Sequence, residues 1–235
     1  LGTLLVLLPF RIFPFSQDKK ISFKYGVASG DPTNSNVILW TKLSGVESKK
    51  KKVRWEVSDQ KSFSKIIAKG HVTAKLDDDF TVKVDAKIPD QFNGQRIFYR
   101  FTANKTYSEI GTTLTLPSYN PKGFNIAFCS CSNYPAGYFN SYNEIAENAD
   151  IHLVLHLGDY LYEYAADGYA SSQAREMNRL VEPKHEIITL NDYRQRHATY
   201  RKDNDLKKLH ANKPMIVVWD CLLYTSDAAD DSPSV

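Results

Sequence analysis

Cysteine is scarce in this chain of 235 residues: Cys129, Cys131 and Cys221 are the only three. An odd count builds no disulfide framework. Charge of one sign is also lacking, since the formal net charge is +3. That balance gives no case for a nucleic-acid partner. The basic run Lys49-Lys50-Lys51-Lys52 reads as a solvated loop tip, because like charges repel and stay wet. No stable transmembrane span is expected. The apolar run Leu4–Leu8 is far short of the roughly 20 residues a span requires. It reads as the end of a secretory segment or as an N-terminal extension over 1–20, and so points to a secreted, periplasmic or envelope-associated protein. No internal repeat is visible. Composition is otherwise that of a globular protein, 42% hydrophobic and 24% charged.

What is present falls into two grammars. From 21 to 116 the pattern has period two. Val37, Leu39, Thr41 and Leu43 alternate with Ile38 and Trp40; Val53, Trp55 and Val57 alternate with Arg54 and Glu56. Phe80, Val82 and Val84, then Ile97, Tyr99 and Phe101, repeat the pattern. Alternation gives strands with one buried face. Many short strands at this spacing predict a β-sandwich domain of fibronectin or Ig-like type. Residues 117–123, rich in Pro, Ser, Asn and Gly, read as a linker.

Beyond the linker the strands become continuous apolar runs, Phe124–Phe128, Ile151–Leu157 and Met215–Trp219. Such runs suit a parallel sheet buried on both faces. Helices are expected over 140–148, over 191–200 with Asn191 as N-cap, and over 203–210 with Asp203 as N-cap. The fold class is therefore α/β multidomain, a β-sandwich followed by a partial α/β domain over 124–220.

Ligands of open α/β sheets bind beyond the carboxyl ends of the strands. Three ends bear metal-ligating types: Cys129-Ser130-Cys131, Gly158-Asp159-Tyr160-Leu161-Tyr162 and Trp219-Asp220. A C-x-C pair on a strand puts both sulfurs on one face, where they are badly placed to bond each other. One is a candidate ligand and the other a small core residue. Gly158 permits a tight turn, Asp159 can bridge two cations, and Tyr162 lies close enough to reach the same ion. A thiolate with a phenolate suits Fe(III) better than Mg(II). The competing readings are a helix-capping Asp and tyrosines that merely pack. His152 and His156 read as packed residues. Tyr193, Arg194, Arg196 and Arg201 are open to phosphate binding or to simple solvation.

Phe23 to Pro32 with Val37 to Leu43, the strand end Ile126 to Cys131, the motif His156 to Glu163, and the helical stretch Tyr193 to Arg201 together resemble the alkaline phosphatase D (PhoD-type) family of secreted phosphatases. The resemblance covers about residues 21 to 220. It implies hydrolysis of phosphate monoesters and diesters by a metallophosphoesterase with iron, Fe(3+), and calcium, Ca(2+), in the site; a monomer is the expected state. By position, Cys131 and Tyr162 match iron ligands and Asp159 the bridging carboxylate, the catalytic centre of the site; Cys129 has no matching role. After Trp219-Asp220 the family pattern calls for an acidic or amide residue, then His and Glu. Cys221-Leu222-Leu223 stands there, so 221–235 reads as non-native or disordered, the metal domain as incomplete, and the chain as having little activity. The alternatives are a purple acid phosphatase, which expects an acidic ligand where Cys131 stands, and a non-enzymatic β-sandwich binding module.

Overall fold

Alternating burial turns the first half into two sheets. In the computed structural model, which describes residues 20–118, 121 and 123–219, β1 (Val27–Gly30) and β2 (Asn36–Lys42) are followed by β3 (Lys50–Ser58), β4 (Ile66–Lys75) and β5 (Thr81–Lys87). Next come β6 (Arg96–Ala103), β7 (Thr106–Tyr107) and β8 (Gly111–Leu114). Val37, Leu39, Val53, Val57, Ile97, Tyr99 and Phe101 are each wholly buried. These are the alternating positions of the sequence. One apolar cluster draws them together from both sheets with Val82 and Val84. Burying a Val or Leu contributes roughly 1.5–3 kcal/mol, so this cluster is the main stabilising term of the half.

The basic run is no loop tip. Lys50, Lys51 and Lys52 open β3, and Lys50 pairs with Lys75 of β4. The sequence reading overlooked β4, whose alternation is weak. Paired to it, the run adopts strand while its lysines stay at the surface.

The second half contains β9 (Asn125–Cys129), α1 (Asn140–Glu147), β10 (Ile151–His156), α2 (Ser171–Glu176), α3 (Leu190–Tyr200), α4 (Asn204–Asn212) and β11 (Pro214–Val217). As expected of parallel strands, β10 pairs with β9 on one side and β11 on the other. Burial on both faces fails for β9. Among the described residues it is an edge strand, and Phe128 is 62% exposed. The α2 helix lies inside the polar stretch 165–184, where no apolar periodicity marked it. Asp203 caps α4 as expected, accepting from the Asp205 and Leu206 amides at 2.9 Å. The cap of α3 is Thr189 and not Asn191: the Asp192 amide donates to the Thr189 side chain, and the Asp192 carboxylate accepts from the Thr189 amide.

One sheet spans both halves, in the order β5-β2-β1-β11-β10-β9. The join is the parallel pairing of β1 with β11, Ser29 opposite Pro214 and Gly30 opposite Met215. A Cβ on Gly30 would meet the Met215 carbonyl oxygen at 2.5 Å, so the join needs glycine there. A second apolar cluster, with Val154, Tyr160, Tyr200, Leu206, Leu209 and Met215, fills the space between β10, β11 and the helices. The apolar run Leu4–Leu8, Asp220, Cys221 and the stretch 221–235 lie outside the described residues. Among the described residues no helix is long and apolar enough to cross a membrane.

Candidate metal centre

Two turns at the carboxyl ends of β9 and β10 form the site. The ladder runs one step past the strands, with the Leu157 amide donating to the Cys129 carbonyl at 2.8 Å. The Cys131 amide then donates to the Gly158 carbonyl at 3.2 Å, and the Ser132 amide to the Asp159 carbonyl at 2.8 Å. Both turns adopt positive φ: 57° at Cys131, 118° at Gly158 and 54° at Asp159. Glycine enters this region freely, whereas a residue with a Cβ pays roughly 1–2 kcal/mol. Strained positions of this kind cluster at functional sites. The left-handed backbone also takes Cys131 off the strand, so the expected C-x-C pair on one strand face does not form. Cys129 lies half-buried near the Leu155 carbonyl, and burial pushes its thiol up.

The turns bring three of the expected side chains to one point. The Cys131 thiol donates to Asp159 Oδ2 at 3.3 Å, and the Tyr162 hydroxyl donates to the same oxygen at 3.3 Å. Asp159 is buried, whereas Cys131 is exposed to solvent. Burial raises the Tyr162 phenol well above its usual range, and the hydrogen bonding and charge of Cys131 and Asp159 raise it further. A cation would oppose that shift, since it favours thiolate, carboxylate and phenolate alike. Among the described residues no three His, Cys, Asp or Glu side chains are grouped so as to hold a metal ion; the third side chain at this point is the Tyr162 phenol. Asp220, the fourth expected ligand, lies outside the described residues.

Beneath the turns sits a polar network the sequence reading missed. Ser132 Oγ and His156 Nε2 are 2.7 Å apart, and Tyr142 contacts both. His156 is wholly buried, and burial lowers its pKa to about 4, so it is neutral at pH 7. It packs behind the site, as expected. His152 stacks on Phe124 at 5.0 Å.

The four residues of the α3 region, left open between phosphate binding and solvation, all make contacts within the protein. Arg196 is 1% exposed and donates to the carbonyls of Tyr162, Tyr164, Glu182 and Pro183. Arg201 is buried over the Trp40 ring at 4.7 Å, Arg194 reaches the Asp77 carbonyl, and the Tyr193 hydroxyl donates to Glu163. A cleft of about 930 Å³ passes between the two halves, lined by Trp40, Lys42, Tyr160, His197, Arg201 and Trp219 among others. Its lining does not include Cys131, Asp159 or Tyr162.

Comparison with known proteins identifies the family. Residues 13–117 match the N-terminal domain of PhoD-like phosphatase, and 126–221 match PhoD-like phosphatase itself. Alkaline phosphatase D of Bacillus subtilis (strain 168) is 40% identical over 208 residues, covering 84% of this chain. The chain spans 34% of that relative's length. A solved structure of PhoD superposes with a TM-score of 0.76 at 39% identity, covering 88% of this chain and 40% of that one.

Proposed function

We propose that this chain, which belongs to the PhoD-like phosphatase family, supplies Cys131, Asp159 and Tyr162 to a metal centre that hydrolyses phosphate monoesters and diesters. The observation that carries this reading is the meeting of a thiol and a phenol on one buried carboxylate oxygen. That donor set fits Fe(III), which Cys131 and Tyr162 would hold, and the Asp159 carboxylate would help to hold a calcium ion beside it. Asp220 is the fourth ligand in this proposal. Cations bound there would neutralise charge developing on the transferred phosphoryl group.

The chain's own part is to hold these donors. The left-handed turns aim Cys131 and Asp159 at each other, and the Ser132–His156–Tyr142 network supports them from below without adding charge. We also propose that the first half is an Ig-like module bounded near 117–123, and that the protein is a monomer acting outside the cytoplasm. Calcium takes 6–8 oxygen ligands, so these four side chains fill only part of a two-metal site.

Metal analysis after incubation with iron and calcium tests the proposal. Iron retained by the wild type and lost in Cys131→Ala and Tyr162→Phe, with circular dichroism unchanged, is the expected result. Equal iron in all three proteins would exclude these ligands.

A further inference from the structure

Tyr200 is the last residue of α3 and is wholly buried. Its hydroxyl oxygen accepts two backbone amides, Tyr134 N–H at 3.3 Å and Tyr162 N–H at 3.3 Å. Tyr134 follows Cys131 by three residues on one turn, and Tyr162 is on the other. A phenolic oxygen has two lone pairs, so one atom satisfies both donors. Its place is set by packing: the ring lies 5.4 Å from Tyr134, 6.2 Å from Phe139 and 6.4 Å from Tyr160. Burial pushes the phenol up to about 12, against the two amides that draw it down, so the group stays neutral at ordinary pH. One helical turn earlier, Arg196 donates to the Tyr162 carbonyl and, at 3.0 Å, to the Tyr164 carbonyl. The peptide on either side of Tyr162 is thus held by α3, its N–H by Tyr200 and its C=O by Arg196. Residues four apart share a helix face, which brings both to the same turn.

We infer that Tyr200 is a positioning residue whose hydroxyl ties the Cys131 turn to the Tyr162 turn and so sets the spacing of the two donors. The link to metal binding rests on the proposed function; the tie itself does not. A tyrosine kept only for its ring would be replaceable by phenylalanine without local effect.

Tyr200→Phe keeps the ring and removes the acceptor. Amide hydrogen exchange resolved at residues 134 and 162 should quicken by about fivefold or more at both, the worth of one ordinary hydrogen bond. Amides of β3 and β6 should be unchanged. In protein loaded with Fe(III), the visible phenolate-to-iron absorption band should shift or weaken in the variant. Unchanged exchange at both amides, or acceleration at one alone, overturns the inference. Wild-type protein that shows no iron-dependent band counts against the metal reading only, because exchange is measured without metal. Arg196→Lys gives a second measurement that leaves Tyr200 intact. It should quicken exchange across 162–164 and spare residue 134; equal acceleration at 134 would also overturn the tie.

Discussion

The two halves bury different things. Up to residue 118, among the described residues, one Asp, Glu, His, Lys or Arg side chain is buried, Glu56. After residue 123 there are nine: His156, Asp159, Arg179, Asp192, Arg196, Arg201, Asp203, His210 and Lys213. The first half is assembled by apolar alternation, whose order any strand former repeats. The second half is assembled by charged and polar groups gripping backbone, which fixes the turns at the strand ends. Such groups cost several kcal/mol to bury, and removing one partner leaves that cost unanswered. The difference therefore predicts where single substitutions hurt most.

The largest effect is expected at Asp203. Its Oδ2 takes a 2.8 Å bond from Arg179 with both side chains buried, and its Oδ1 caps α4. Asp203→Ala should cost about 3–5 kcal/mol, because Arg179 is left charged and buried. Glu56→Ala is the counterpart in the first half. Its partners Arg54 and Arg100 are 47% and 24% exposed, so water can take them back and the loss should be about 1–2 kcal/mol. Urea unfolding of both variants checks the ratio; equal losses would break the comparison.

Acid should separate the halves as well. Burial lowers His156, which is wholly buried, to about 4, and His197 is pushed the same way by desolvation and then by the charges of Arg201 and Lys42, an effect weakened by its exposure to the cleft. His210 is held well below its ordinary 6.5, chiefly by burial. A folded pKa below the unfolded one means that the unfolded chain takes up protons first as pH falls. The stabilisation from neutral histidine is complete above about pH 6.5 and is lost progressively down to about pH 4. For His156, which is wholly buried, the loss is on the order of 3 kcal/mol at the lower limit. All three histidines are in the second half. Hydrogen exchange between pH 6.5 and 4, corrected for intrinsic rates, should show α3 and α4 loosening before β3 and β6.

This asymmetry also explains what could be read in the residues. Val37, Leu39, Ile97 and Phe101 announce their burial because a strand's period is two and water is the only arbiter. That a strand-end cysteine would meet Asp159 and Tyr162 was legible because strand ends of a parallel sheet share an edge; the choice of Cys131 over Cys129 came from the family resemblance. The join of β1 to β11 was not, since a pairing between residues 30 and 215 leaves no local trace beyond a glycine. Nor was Arg196: an arginine on a polar helix reads as solvated until the carbonyls of residues 162–164 and 182–183 surround it. The edge position of β9 was hidden for the same reason, because an apolar run says nothing of how many neighbours a strand has.

Gly30→Ala tests the join. The added Cβ must move the Met215 carbonyl or part the strands, and overpacking of this kind costs about 1–3 kcal/mol. Since the shared sheet couples the halves, unfolding should change from one transition followed alike by all probes to two that separate. Thermal unfolding read at tryptophans of the two halves, Trp55 and Trp219, makes the check. A single sharper transition would show that β1–β11 pairing does not carry the coupling.

The smallest effect concerns one helix end. Asn and Thr are both good N-caps, so Asn191 and Thr189 compete on residue type alone. The third residue onward decides between them. Counted from Asn191 it is Arg194, which has no acceptor to offer; counted from Thr189 it is Asp192, whose carboxylate takes the Thr189 amide at 2.9 Å. The capping box was therefore written in Thr189-Leu190-Asn191-Asp192, in a form the eye passes over because Asp replaces the commoner Glu. Thr189→Ala should cost about 1 kcal/mol. Asn191→Ala, at an exposed position inside α3, should stay within about 0.5 kcal/mol of wild type. Because α3 carries both Arg196 and Tyr200, the Thr189→Ala loss should also appear as faster amide exchange at Tyr162, whereas an effect confined to the first turn of α3 would mean that the cap and the site are uncoupled.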